Sequence, residues 1–257
     1  MHTDLALNLS MLFGFLLVLA RVAGLIAFVP IPGLSAGPDA SRIALAVTIT
    51  AALFPVWPKA APEGLHIGRL LGWAGAEAAF GLTVGVAIAF LLEGLQMAAQ
   101  VIGLQAGYSY ASTVDPSTQA DTTTLQMIAQ LFAGCLFFAF GFDRQVIRIL
   151  ARSLESMPAG AYSLSASTVD AVIKLGSGIF VTGLQLAIPV LALVLLLDIA
   201  FGVLGRLQNQ LQLIALSFTV KMLASLLVLA GILSVFPPAF EKSGATTLNA
   251  LGKLLNR

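Results

Sequence analysis

Of 257 residues, 58% are hydrophobic and 10% are charged, against about 45–50% and about 25% in soluble domains. Thirteen Lys+Arg and 12 Asp+Glu cannot wet the surface of a soluble fold of this length. The mean hydropathy of +0.97 therefore excludes a cytosolic globular enzyme and intrinsic disorder and leaves an integral membrane protein.

A net charge of +1 gives nucleic acid no handle, and a lone Cys135 excludes a disulfide framework and a cysteine metal cluster. Catalysis has little support. His2 and His66 are the only histidines, and neither a phosphate-binding glycine motif nor metal-ligand spacing occurs. The reading is that the chain is not an enzyme and needs no cofactor.

Six apolar stretches follow in chain order: Leu5 to Val29, Ile43 to Val56, Leu70 to Leu92, Leu125 to Phe142, Ile179 to Leu197 and Leu213 to Phe236. A span needs about 20 apolar residues, so five are expected to cross. The second is short and closes in Phe54-Pro55-Val56-Trp57-Pro58, which suits a re-entrant or protein-buried helix equally well. The opening Met-His-Thr-Asp lacks the basic region of a signal peptide, so the first stretch reads as a retained helix. The fold class is all-α, a polytopic membrane protein of kinked helical hairpins.

If all six cross, Lys59, Arg69, Arg144, Arg148, Arg152, Lys174, Lys242, Lys253 and Arg257 share one side, with Arg42 and Arg206 on the other. That bias puts both termini in the cytoplasm. The small, polar run Ala159 to Ser167 is the best internal boundary, and after it two helical stretches meet near Arg206 to Gln212 as a hairpin.

Four charges lie inside apolar stretches: Arg21, Glu77, Asp198 and Lys221. The midpoint between Asp198 and Lys221 falls between Asn209 and Gln210, in the hairpin turn, so both sit at one depth. They are expected to meet or to face a shared polar interface, with snorkelling of Lys221 as the plainer alternative. The depths of Arg21 and Glu77 do not match clearly, so the sequence offers no pairing for them. Pro189 should free the Gln185 carbonyl and kink its helix. Gly68/Gly72 and Gly81/Gly85 have the spacing of close helix contacts.

Glu93, Gln96, Gln100, Gly103 and Gly107 recur at intervals of three and four, one stripe if the third helix runs past Leu92. A wet lumen, a neighbouring subunit or ordinary solvent would each explain it. The stripe leads into Gly107-Tyr-Ser-Tyr-Ala-Ser-Thr-Val-Asp-Pro-Ser-Thr-Gln-Ala-Asp121, which reads either as a solvated loop or as a flexible polar segment in an aqueous path. Arg144, Arg148 and Arg152 form a basic face suited to anionic headgroups, or an ordinary cytoplasmic loop.

Several stretches together resemble one family. Ala20-Arg21-Val-Ala-Gly24 with Pro30, Pro38 and Arg42, then Ile102 to Pro116, Leu136-Phe-Phe-Ala-Phe140, and Ser153-Leu-Glu-Ser-Met-Pro-Ala-Gly160 are similar in order and spacing to the FliR family of flagellar type III export gates, whose injectisome counterparts are SctT proteins. The last hairpin departs from the pattern, because Gly205 to Gln212 lacks the family's proline.

The resemblance implies a subunit that assembles with FliP-like and FliQ-like subunits and an FlhB-like protein. It also implies a place in the flagellar basal body, in the bacterial inner membrane, with unfolded export substrates and membrane lipid as partners. Residues 1–160 would mimic FliP and residues 161–257 a FliQ hairpin followed by a C-terminal tail. Gln105, Gly107, Tyr108, Ser109, Tyr110, Ser112, Thr113, Asp115, Pro116, Thr118, Gln119 and Asp121 would belong to a channel plug. Read from the residues alone, an injectisome gate subunit, or a small-solute or ion transporter with Asp198, Lys221 and Pro189 at a midplane site, stays open.

Overall fold

The computed structural model describes residues 2–29, 39–58, 67–108, 124–207 and 213–255. Among them every regular element is helical: α1 (His2–Phe28), α2 (Asp39–Ala52), α3 (Ile67–Ala106), α4 (Thr124–Ala139), α5 (Phe142–Ser156), α6 (Ala166–Leu207), α7 (Leu213–Ile232) and α8 (Phe236–Leu255), with single 3₁₀ turns at Phe54–Val56 and Leu233–Val235. The protein is an all-α polytopic membrane protein. Ser10–Phe28, Gly68–Ala106, Ala166–Arg206 and Leu216–Lys253 are long and apolar enough to cross a bilayer.

Two elements differ from the sequence expectation. The fourth apolar stretch does not make a straight span. α4 has 16 residues and reaches spanning length only with α5, from which it bends by 63°. Gly141, at φ +67°, makes the break, in a left-handed conformation that glycine adopts without a Cβ clash. The residues after the last hairpin are not a tail but α8, whose Pro237 and Pro238 occupy a first turn that needs no N–H donors.

α2 spans 14 residues, about 21 Å at 1.5 Å per residue, too short to cross. Its end is set by Pro55 in the 3₁₀ turn and pinned by Trp57, whose indole N–H donates to the Thr50 carbonyl at 2.9 Å. α3 continues well past Leu92. Its 40 residues extend about 60 Å, twice a hydrocarbon core of about 30 Å. α6 opens on Ser165, whose hydroxyl accepts the Thr168 N–H at 3.3 Å as an N-cap, and Pro189 lies inside it.

The chain packs as two units. Unit one comprises Met1–Phe90, Phe137–Gly176 and Ala245–Arg257, and unit two comprises Leu91–Leu136 and Ser177–Gly244.

In unit one α1 and α3 touch through glycine. A Cβ on Gly81 would enter the Arg21 carbonyl, one on Gly85 would lie 2.6 Å from the Leu25 oxygen, and one on Gly24 would lie 2.5 Å from the Ala78 oxygen. Both Arg21 with Gly81 and Leu25 with Gly85 are 60 residues apart, so the two helices run parallel in fixed register. Such contact supplies dispersion energy where lipid offers no hydrophobic drive for helices to associate. Gly68 and Gly72, of the same spacing, meet nothing within 4 Å.

Unit two is built on Ala99, Ile102 and Ala106 of α3, Leu125 of α4, and Ala187, Val190 and Val194 of α6, flanked by Val228, Leu229 and Ile232 of α7. Small residues let the backbones close up here too: a Cβ on Gly183 would lie 3.1 Å from the Gly94 oxygen.

Candidate functional site

Unit one encloses a polar node. Arg21 of α1 is 1% exposed, Glu77 of α3 is 1% exposed and Ser153 of α5 is fully buried. Arg21 Nε donates to Glu77 Oε2 as a buried ion pair. A second guanidinium nitrogen donates to Ser153 Oγ at 2.7 Å, and that hydroxyl donates onward to the Leu150 carbonyl at 2.7 Å. The other Glu77 oxygen accepts the Gly160 N–H at 3.0 Å.

Aromatic rings complete the node. The guanidinium lies 4.6 Å from the Phe80 ring centre, a cation–π contact. Phe80 stacks edge-on with Tyr162 at 5.3 Å, and the Tyr162 hydroxyl meets Thr83 at 2.9 Å. Gly160 has φ +76°, and a Cβ there would penetrate the Trp73 ring, so this position fits glycine on two counts.

The pairing of Arg21 with Glu77 was not legible from depth along separate stretches. The signal that would have found it is the Gly81/Gly85 pair, because those glycines fix the register that lays Arg21 one turn above Glu77. The node also gathers the Arg21 to Gly24 stretch and the Ser153 to Gly160 stretch, 132 residues apart along the bond from Arg21 to Ser153. A charged group at such depth is costly unless paired and hydrogen-bonded. Here each charged partner has a counterion and a further hydrogen bond.

In unit two Lys221 Nζ pairs with Asp198 Oδ1 across the α6–α7 hairpin, and Lys221 also lies 5.9 Å from the Phe218 ring centre. The equal distances of the two residues from the turn place them at one level. Their side chains are 12% and 45% exposed, so the pair is covered on one side only. Leu195, Leu196 and Ile199, beside Asp198 on α6, are each more than half exposed.

The stripe on α3 is split. Gln96 and Gly103 are buried while Glu93 and Gln100 are exposed. Gln96 Nε2 donates to Glu93 Oε1 at 3.4 Å.

At the end of α3, Gln105 is exposed. Gly107 at φ +88° closes the helix in a Schellman arrangement, the Tyr108 N–H bonding the Gly103 carbonyl at 2.9 Å. A Cβ on Gly107 would lie 2.7 Å from the Phe218 ring. Tyr108 Oη donates to the Met222 carbonyl at 2.7 Å and meets Ser225 Oγ at 3.3 Å, so α7 holds the start of the connection to α4. Ser109, Tyr110, Ser112, Thr113, Asp115, Pro116, Thr118, Gln119 and Asp121 lie outside the described residues. Among the described residues no group of three or more His, Cys, Asp or Glu is placed to hold a metal ion.

Comparison with known proteins gives a consistent assignment. The chain is 29% identical over 238 residues to flagellar biosynthetic protein FliR of Escherichia coli (strain K12), covering 93% of this chain and 91% of that one. It is 24% identical over 255 residues to FliR of Bacillus subtilis (strain 168), 94% of each chain. It is 24% identical over 202 residues to surface presentation of antigens protein SpaR of Salmonella typhimurium, covering 79% and 76%. The profile of one family, bacterial export proteins, family 1, matches residues 12–246. With nearly the whole length inside that profile, and with its long apolar helices, the chain belongs to family 1 of the bacterial export proteins.

Proposed function

We propose that the chain is a subunit of a type III protein-export gate, of the flagellar kind, in the bacterial inner membrane. It assembles there with FliP-like and FliQ-like subunits and an FlhB-like protein. Residues 1–160 act as the FliP-like part and residues 161–257 as the FliQ-like part. Its work is mechanical: it walls and gates a path for unfolded export substrates, with no chemistry of its own. The FliR relatives support the flagellar version, and a role in small-solute transport finds no support in a family of export proteins.

The observation that carries the multi-subunit reading is the half-covered ion pair. Only 22% of the most apolar part of α6 and 6% of that of the α7–α8 run is buried within the chain, against 61% for α3. Lipid would satisfy exposed Leu195 and Ile199, but it would not satisfy Asp198 beside them. A charge at the centre of a bilayer costs about 2.5–3.5 kcal/mol on insertion scales. Another polypeptide on that face removes the conflict. A photo-crosslinking residue at Leu195 or Ile199 is expected to capture a different small membrane protein of the gate in cells. Labelling of lipid alone would overturn the reading.

Residues 105–121 are the plug in this proposal, with Tyr108 as the fixed end of its tether. Deleting residues 109–121, which leaves the Tyr108 anchor to Met222 and Ser225 intact, is expected to raise the passage of ions and small molecules through cells that carry the assembled gate. Unchanged permeability, with the gate still assembled, would rule out the plug.

A further inference from the structure

Within unit one, α5 and the C-terminal turns of α8 form an open groove of 490 Å³. Among the described residues three cations line it: Arg148 and Arg152, one turn apart on α5, and Lys253 on α8. All three side chains are exposed, and no ion pair joins any of them to an acid among the described residues. Among the described residues no carboxylate lines the groove. In a chain with only 13 Lys+Arg, this is a notable concentration of uncompensated charge. The three repel one another until an anion enters.

The rest of the lining suits a particular anion. Gln145 and Asn249 bring amide donors to the walls, while Ile149 and Leu248 contribute apolar surface. Ile147, next to Arg148 on α5, is 44% exposed, which offers apolar surface beside the charges. α5 buries Phe142, Val146 and Leu150 on its opposite face, so its arginines are held by packing rather than left to a flexible loop. A ligand with a phosphate head and hydrocarbon attached to it matches both halves.

We propose that this groove is a discrete binding site for the phosphodiester headgroup of an anionic phospholipid. It depends on the chain being embedded in a membrane and not on its role in a gate. Basic pockets between membrane helices take such headgroups. Here two helices distant in sequence must close before the third charge joins the first two, so the site exists only in the folded protein. Bound lipid would then clamp the end of α8 onto α5.

The test uses the full chain, purified in neutral detergent and stripped of lipid. Native mass spectrometry then counts retained lipid while phosphatidylglycerol or phosphatidylcholine is titrated in. One tightly retained phosphatidylglycerol is expected, with phosphatidylcholine lost at the same voltage. Arg148→Gln alone should weaken retention about fivefold, and the triple Arg148→Gln/Arg152→Gln/Lys253→Gln roughly a hundredfold. Arg206→Gln, outside the groove, should leave it unchanged.

Equal retention by wild type and the single and triple variants would overturn the site, as would equal retention of the two lipids. Full displacement of phosphatidylglycerol by millimolar inorganic phosphate would show a free-anion site instead. Crosslinking of Lys253 in cells to an acidic segment of another protein would give the groove to a polypeptide and overturn the lipid.

Discussion

Replacing Arg21 with leucine is expected to destabilise the protein by about 3–5 kcal/mol, the loss found when one member of a buried ion pair is removed and the other is stranded. Glu77 would keep the Gly160 N–H but lose its counterion in a site where both residues are 1% exposed. Glu77→Leu should be as harmful, because it strands the guanidinium and orphans Gly160 N–H together.

The double variant is the informative one. Apolar replacement of both charges removes the desolvation penalty along with the attraction, so Arg21→Leu/Glu77→Leu should be less damaging than the sum of the singles. It should still fall short of wild type, since the Gly160 N–H is left without an acceptor at a cost of about 1–3 kcal/mol. Thermal unfolding of all four proteins in one detergent closes the cycle. Losses that simply add would show that the two charges do not act as a pair.

Gly81→Ala is expected to disrupt unit one although alanine is the better helix former. The added methyl would enter the Arg21 carbonyl, with the Leu25 nitrogen 2.9 Å away. Both obstacles are backbone and cannot rotate aside. The helices must separate, which costs about 1–3 kcal/mol or more by the usual penalty for overpacking and weakens the neighbouring ion pair. Gly72→Ala, on the same helix with nothing within 4 Å, should be neutral or gain about 0.5–1 kcal/mol. Unfolding midpoints and steady-state levels of the two variants provide the comparison, and matching behaviour would refute the close contact.

The contrast between these two glycine pairs shows where sequence reasoning reaches its limit. Composition alone established the membrane class, since no soluble surface can be made from so few charges. The α6–α7 hairpin was legible because its turn is local, so equal distance from Asn209 and Gln210 translates directly into equal depth for Asp198 and Lys221. Arg21 and Glu77 have no such turn between them. Their relation passes through α2 and its connections, and it becomes visible only once Gly81 and Gly85 are known to abut Arg21 and Leu25.

Gly68/Gly72 carry the same signature without the contact, so spacing by itself could not choose. The bend at Gly141 and the extent of α8 were missed for a related reason. One depends on a single backbone angle inside an apolar run. The other depends on a helix whose buried stripe, Phe236, Phe240, Gly244, Thr247, Leu248 and Leu251, is interrupted midway by a glycine and a threonine, so that it does not read as an apolar stretch.

The long reach of the Arg21 bonds bears on how the chain is made. Glu77 is 56 residues downstream and Ser153 is 132 downstream. At a ribosomal pace of roughly 5–20 residues per second, Arg21 waits about 3–11 seconds for its first partner and about 7–26 seconds for its second. Throughout that interval the first helix carries an unanswered cation beside the translocon. A nascent chain stalled in that window is expected to be cleaved by membrane proteases faster than one that has reached Ser153.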